Sequence, residues 1–263
     1  MHPARASDRM KVKVYSLDGS PTDDVELPKV FHTPLREDLV RRAVISAQSA
    51  RFQPYGPSLV AGKQTSAESI GKGRGMARIK RTKSGRHEGA FVPQAVGGRR
   101  AHPPKVQKKL HKKINDKERG LAIRSAIAAT SSSDLVRRRG HRIDDRQVPI
   151  VVSDDFQQMS KANNVRETLV KLGLGEEVER LHRGRKQRPG KGKMRGRRRR
   201  VPKGPLFVVD SVCPVEKALS NLPGIDVARS ENLNAEVLAP GGVAGRLSVW
   251  TLSALKRAGE IYG

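Results

Sequence analysis

Leu206-Phe-Val-Val209 is a run of four apolar residues with no polar residue among them. A strand with one wet face alternates apolar and polar residues, whereas one buried on both faces does not. The run therefore predicts a central strand of a parallel sheet covered by helices. Reading toward the C-terminus, the pattern gives helix Pro214–Leu222, strand Ile225–Ala228, helix Leu233–Leu238, strand Leu247–Thr251 and helix Leu252–Ile261. Reading back, Val148-Pro-Ile-Val-Val152 is a second apolar run. A helix from Val165 to Leu172 follows it, stopped by Gly173 and Gly175, and then a short helix reaches His182. Further upstream, Lys11–Ser16 alternates as a half-buried strand, and Leu39, Val40, Ala43, Val44 and Ala47 line one face of a helix within Leu35–Phe52. Asn115-Asp-Lys-Glu118 has the form of a capped helix start, ahead of an apolar helix ending near Thr130. Repeated β-α alternation gives an α/β class: a single domain with a central, mostly parallel sheet flanked by helices.

Charge divides the chain differently. Its 263 residues hold 53 Lys+Arg and 26 Asp+Glu, a net charge of +27. Between residues 63 and 112 stand 14 Lys/Arg and two acids, Glu68 and Glu88; between 180 and 203 stand 13 Lys/Arg and no acid. The remaining residues are nearly neutral. Such asymmetry points to a polyanionic partner. Pro54–Lys112 is rich in Gly and Pro and lacks either periodicity; an insertion of that length without elements of its own is rare in a domain unless functional. Arg183–Lys203 repels itself and has too few apolar residues to collapse alone. The organisation read here is a globular domain of residues 1–51 and 113–263, a long extended basic loop at 52–112 inserted in it, and a second basic tract at 183–203 within it.

Other classes find little support. No stretch approaches the roughly 20 apolar residues of a membrane span, and the first 25 residues have no apolar run of the signal-peptide kind. Gly56-Pro-Ser-Leu-Val-Ala-Gly62-Lys63-Gln64 has the wrong glycine spacing for a phosphate-binding loop, and Gln64 stands where a hydroxyl is needed. The seven histidines show no zinc spacing, and Cys213 reads as a buried structural thiol. Asp144–Asp145 and Asp154–Asp155 are explained by N-capping. No catalytic set, metal site or cofactor is expected. In Gly71-Lys-Gly-Arg-Gly75 the glycines permit close backbone approach while Lys72 and Arg74 meet phosphates. Phe91 is the one aromatic residue in the two tracts, so contact by phosphate, 2′-hydroxyl and shape is expected rather than base stacking.

Several of these residues carry a resemblance. Ala61-Gly-Lys-Gln-Thr-Ser-Ala-Glu-Ser69, Gly71-Lys-Gly-Arg74 and Ala77-Arg-Ile-Lys-Arg81 resemble the large-subunit ribosomal protein L-four family. So do Gly97-Gly-Arg-Arg100 with Ala101-His-Pro-Pro104, Arg188–Arg195, Leu238-Ala-Pro-Gly-Gly242, Gly245-Arg246 and Trp250-Thr251. The chain ends at Ile261-Tyr-Gly263 without the long basic extension of eukaryotic members, which suits the archaeal-type branch; Met1–Arg9 receive no role. The resemblance implies a cytoplasmic, non-enzymatic constituent of the large ribosomal subunit that binds its 23S-type rRNA and serves assembly and translation. It implies that the long loop reaches the constriction of the nascent-peptide exit tunnel beside ribosomal protein L-twenty-two. The tip would lie within Ile70–His87, with Arg74, Met76 and Arg78 as tunnel-facing candidates near the nascent peptide. The RNA-binding set would be Lys63, Lys72, Arg74, Arg78, Lys80, Arg81, Lys83, Arg86, Arg99 and Arg100, joined by Lys191, Lys193, Arg195, Arg197, Arg198, Arg199 and Arg200. The alternatives are a chromatin-type protein that compacts nucleic acid and, from another class, an RNA-modifying enzyme.

Overall fold

The alternation of apolar runs with amphipathic helices builds one six-stranded sheet in the computed structural model, which describes residues 10–83, 87–143 and 146–263. Its strands are β1 (Lys11–Tyr15), β2 (Pro21–Glu26), β5 (Ile150–Val152), β8 (Leu206–Val209), β9 (Asp226–Arg229) and β10 (Ser248–Thr251), in the order β2-β1-β5-β10-β8-β9. All neighbours are parallel except β1 and β2. The expected class, α/β with a mostly parallel sheet between helices, is the observed one.

Period-two alternation sorts side chains to the two faces. Phe207 and Val209, Ile150 and Val152, and Val249 enter one core with Val165 and Leu169 of α4 (Ala162–Lys171), Leu181 of α5 (Gly175–Gly184) and Leu219 of α6 (Val215–Ser220). Leu206, Val208, Val151 and Trp250 enter the other. There they meet Val40 of α1 (Glu37–Ala50), Ile127 of α2 (Asp116–Ala129), Leu238 of α7 (Ala235–Leu238) and Leu255 of α8 (Leu252–Tyr262). Trp250 is fully buried and meets Phe31 edge-on at 5.6 Å. Each such side chain removed from water stabilises the fold by about 1.5–3 kcal/mol.

Several details depart from expectation. β2 and the helix α3 (Ser133–Arg138) were not anticipated. Gly173, at φ +74°, does end α4, but Gly175 opens α5 rather than stopping its predecessor. Asn115 occupies the N-cap of α2 without a side-chain bond, and Glu118 pairs with Arg42, 3.0 Å away, so the expected reciprocal capping does not form. Asp154 caps no helix of its own: its Oδ1 accepts from Ser253 N at 3.0 Å and Ser253 Oγ at 2.7 Å, at the start of α8. Asp144–Asp145 lie outside the described residues.

The chain divides into two compact units, Met1–Gln48 with Lys113–Gly263, and Ser49–Lys112. The second unit is mostly turns. At its base the Lys112 amide donates to Ser49 Oγ at 2.9 Å. It contains one antiparallel pair, β3 (Ala67–Ser69) with β4 (Lys80–Thr82), and packs Ile79 against Gly89 beside buried Ala90.

Candidate nucleic-acid interface

A hairpin of two three-residue strands carries Lys72, Arg74, Arg78, Lys80 and Arg81 of the Ser49–Lys112 unit. Ser69 pairs with Lys80 in its register, so residues 70–79 form the tip. Gly71, Gly73 and Gly75 all have φ between +64° and +78°, which residues with a Cβ adopt only under strain. Their α-carbons face open space, so the tip backbone can be approached closely. Lys72, Arg74 and Arg78 are exposed around them, and Met76 is 47% exposed.

Below the tip the cations have partners. Lys80 Nζ lies 4.5 Å from the centre of the Phe91 ring, and the Arg99 guanidinium 6.0 Å from it. Arg81 Nη1 donates to the His87 carbonyl at 2.9 Å, and Lys83 pairs with Glu68 at 2.7 Å. Of the residues singled out in this unit, Lys63, Lys72, Arg74, Arg78 and Arg100 have no side-chain partner among the described residues, whereas Lys80, Arg81, Lys83 and Arg99 brace the hairpin. Arg86 lies outside the described residues. Phe91 thus sits under two of these cations.

The second cationic segment belongs to the other unit and is an arm. β6 (Lys186–Gln187) pairs antiparallel with β7 (Arg199–Arg200), and a 3-10 turn at Lys191–Arg195 makes the end. Arg188 N donates to the Arg198 carbonyl at 2.8 Å and Arg188 Nε to the Arg197 carbonyl at 3.1 Å. Lys191, Lys193, Arg195, Arg197, Arg198, Arg199 and Arg200 are all exposed. With no carboxylate on the arm, their charges sum rather than cancel.

The root of the arm is neutralised where its end is not. Arg183 pairs with Glu179 at 2.7 Å and Lys203 with Asp226 at 2.8 Å. Arg180 chelates Glu177 at 2.7 and 2.6 Å and donates to the Lys203 carbonyl at 3.0 Å. Burial alone would raise the Glu177 carboxyl. Hydrogen bonds from Arg180, from His141 at 2.7 Å and from the Arg142 amide outweigh it and hold the group at about 2. Asp226 is likewise held below the usual carboxylate range, its burial outweighed by Arg246 and Lys203.

The crevice at the carboxyl ends of the strands is where open α/β sheets bind ligands, with phosphates at a helix N-terminus. Here Asp154 occupies that position on α8, with Gln157 bonded to Asp154, Thr251 and Ser253. A fixed carboxylate there repels a phosphate. Cys213 is buried, its thiol pushed up by burial and by Glu216. Among the described residues no three His, Cys, Asp or Glu side chains converge to hold a metal ion.

Residues 25–261 match the model of the ribosomal protein L4/L1 family. The chain belongs to that family. It is 52% identical over 254 residues to large ribosomal subunit protein uL4 of Methanococcus aeolicus, covering 96% of this chain and all of the relative. It is 49% identical to that of Methanocaldococcus jannaschii, with 96% and 100% covered, and 48% identical to that of Methanosphaera stadtmanae, with 96% and 97% covered. These relatives place it in the archaeal-type branch of the family. The loop motifs, and every strand named from the sequence except Lys11–Ser16, lie within the matched span, 25–261.

Proposed function

We propose that this chain, a structural and non-enzymatic constituent of the large ribosomal subunit in the archaeal cytoplasm, grips large-subunit 23S-type rRNA through two cationic surfaces. One is the exposed tip around Lys72, Arg74 and Arg78, with Lys63 and Arg100 behind it; the other is the arm from Lys191 to Arg200. The observation that carries this reading is the pairing pattern. Acids neutralise the cations at the root of the arm, while those at its end and at the tip have no partner among the described residues. Charges kept apart from acids release counterions when they meet phosphates, which is the driving force for backbone binding. Lys80, Arg81, Lys83 and Arg99 act on RNA chiefly by holding the hairpin that presents the tip. The globular sheet anchors the chain in the subunit, and the loop lines the exit tunnel near its constriction, beside ribosomal protein L-twenty-two. Arg74, Met76 and Arg78 face the nascent peptide.

Deleting residues 70–87 tests the division of labour. The shortened chain is expected to assemble into large subunits at wild-type stoichiometry, because the sheet is intact, yet to change peptide-induced stalling in a translation assay. Its absence from purified subunits, or stalling identical to wild type, would remove the tunnel assignment. A chromatin-type compactor would instead bind duplex DNA as well as rRNA in direct competition.

A further inference from the structure

The Ser49–Lys112 unit contains a cleft of about 760 Å3 that lies outside the charge-defined tract on one side. Tyr55 and Pro104 give it flat apolar walls, and Arg100, His102, Lys105 and Lys108 stand around them. The wall is built rather than incidental. A Cβ on Gly56 would lie 2.7 Å from the Pro104 carbonyl oxygen, so only glycine lets the segment after Tyr55 pack this closely on Pro104. A turn from Lys105 to Lys108, closed by a 3.1 Å backbone bond, presents both lysines on the same rim. Tyr55 is 72% exposed, and its hydroxyl has no hydrogen-bond partner among the described residues.

We infer that this cleft binds one unpaired nucleotide of the rRNA, its base stacked on Tyr55 and its phosphate held by Arg100 or Lys105. The inference rests on the reading that this unit meets rRNA. The chemistry matches part for part: an exposed aromatic face for a base, prolines lining the same cleft, and cations for the phosphate. No acid lines the cleft, and the unit's two acids are Glu68, taken by Lys83, and Glu88. Phe91, another aromatic ring of this unit, already has Lys80 and Arg99 over it. Pro103 and Pro104 in the wall lack amide hydrogens and so offer a peptide no strand edge to pair with along that side.

The test uses the full chain and archaeal large-subunit rRNA, comparing wild type with Tyr55→Ala, Tyr55→Phe and the double variant Lys105→Ala/Lys108→Ala. Exposure of Tyr55 makes folding of the variants secure. Base-specific chemical modification is read together with affinity across a salt series. Wild type and Tyr55→Phe are expected to protect the same unpaired base, and Tyr55→Ala to restore its reactivity. Loss of one stacked base weakens binding by roughly 5- to 150-fold, with the salt slope unchanged because stacking releases no counterions. The double lysine variant should lower the slope instead. Base reactivity and affinity in Tyr55→Ala equal to wild type, with the rRNA footprint otherwise intact, would overturn the cleft and leave the rRNA reading standing. No site-specific footprint from wild type would overturn that reading itself.

Discussion

Arg246 is wholly buried and charged, and three bonds make that tolerable: Nε to the Gly204 carbonyl at 2.8 Å, Nη1 to the Val237 carbonyl at 2.8 Å and Nη2 to Asp226 at 2.7 Å. Burial lowers its pKa, and Asp226 opposes the shift. Removing one partner of such a pair leaves buried polar groups unmet, at a cost of about 3–5 kcal/mol. Arg246→Met is therefore expected to lower the free energy of unfolding by that order, read as a lower midpoint of chemical unfolding, and to leave Asp226 with Lys203 as its remaining partner. The chain's one tryptophan, Trp250, reports the transition from the middle of the sheet. A shift no larger than a surface substitution gives would refute the role assigned to Arg246. Glu177 adds a pH dependence of defined sign. Its carboxyl is depressed to about 2 from an ordinary value of 4.5, so the unfolded chain binds more protons there. Its contribution is complete above about pH 4.5 and disappears as pH falls toward 2, roughly 3 kcal/mol in all. Glu177→Gln should flatten stability across that window, measured by chemical unfolding at each pH, and a profile unchanged from wild type would refute the assignment.

Elements differ in how plainly the sequence announces them. Leu206–Val209 is legible because both faces of the strand are buried and no polar residue interrupts it, and Ser248–Thr251 is buried on both faces too, with polar residues only at its two ends. β2 is not legible: Pro21-Thr-Asp-Asp-Val-Glu26 is an edge strand, largely exposed, whose charges face Lys11 and Lys13 of β1 in register. Charge and proline suit an edge and disguise it. The pairs β3–β4 and β6–β7, two or three residues each, are shorter than any periodicity can register. The cap on α8 was invisible for another reason, since Asp154 and Ser253 are 99 residues apart. Replacing Asp154 with alanine frees the Ser253 amide and is expected to cost about 1 kcal/mol, within 0.5–2, measured by thermal unfolding. No change in Tm would remove the stabilising role assigned to Asp154. Within the candidate interface, the cations were evident from composition, but their division into bracing and unpaired sets depends on Phe91, Glu68 and the His87 carbonyl, which only the hairpin brings near. Tyr55 escaped notice because it precedes the tract that charge defines.

The whole molecule, at +27, is a nearly neutral sheet bearing two concentrated cationic surfaces. Binding to rRNA should therefore weaken steeply with salt, by roughly 0.7–0.9 in log–log slope for each phosphate met. Changing Arg197, Arg198, Arg199 and Arg200 together to alanine should flatten that slope by roughly 3; filter binding between 50 and 400 mM salt, chosen as the working range, measures it. A slope equal to wild type would place these four outside the contact. The stem Lys186–Gln187 against Arg199–Arg200 has a further consequence. It pins residues 188–198 at both ends, and a backbone fixed in this way samples far fewer shapes than a dangling tail of the same composition. Ordering a free residue costs about 1–2 kcal/mol, and a closed segment has given up part of that freedom before any RNA arrives. Folding of the stem thus lowers the entropy still to be lost on binding, without adding a single charge.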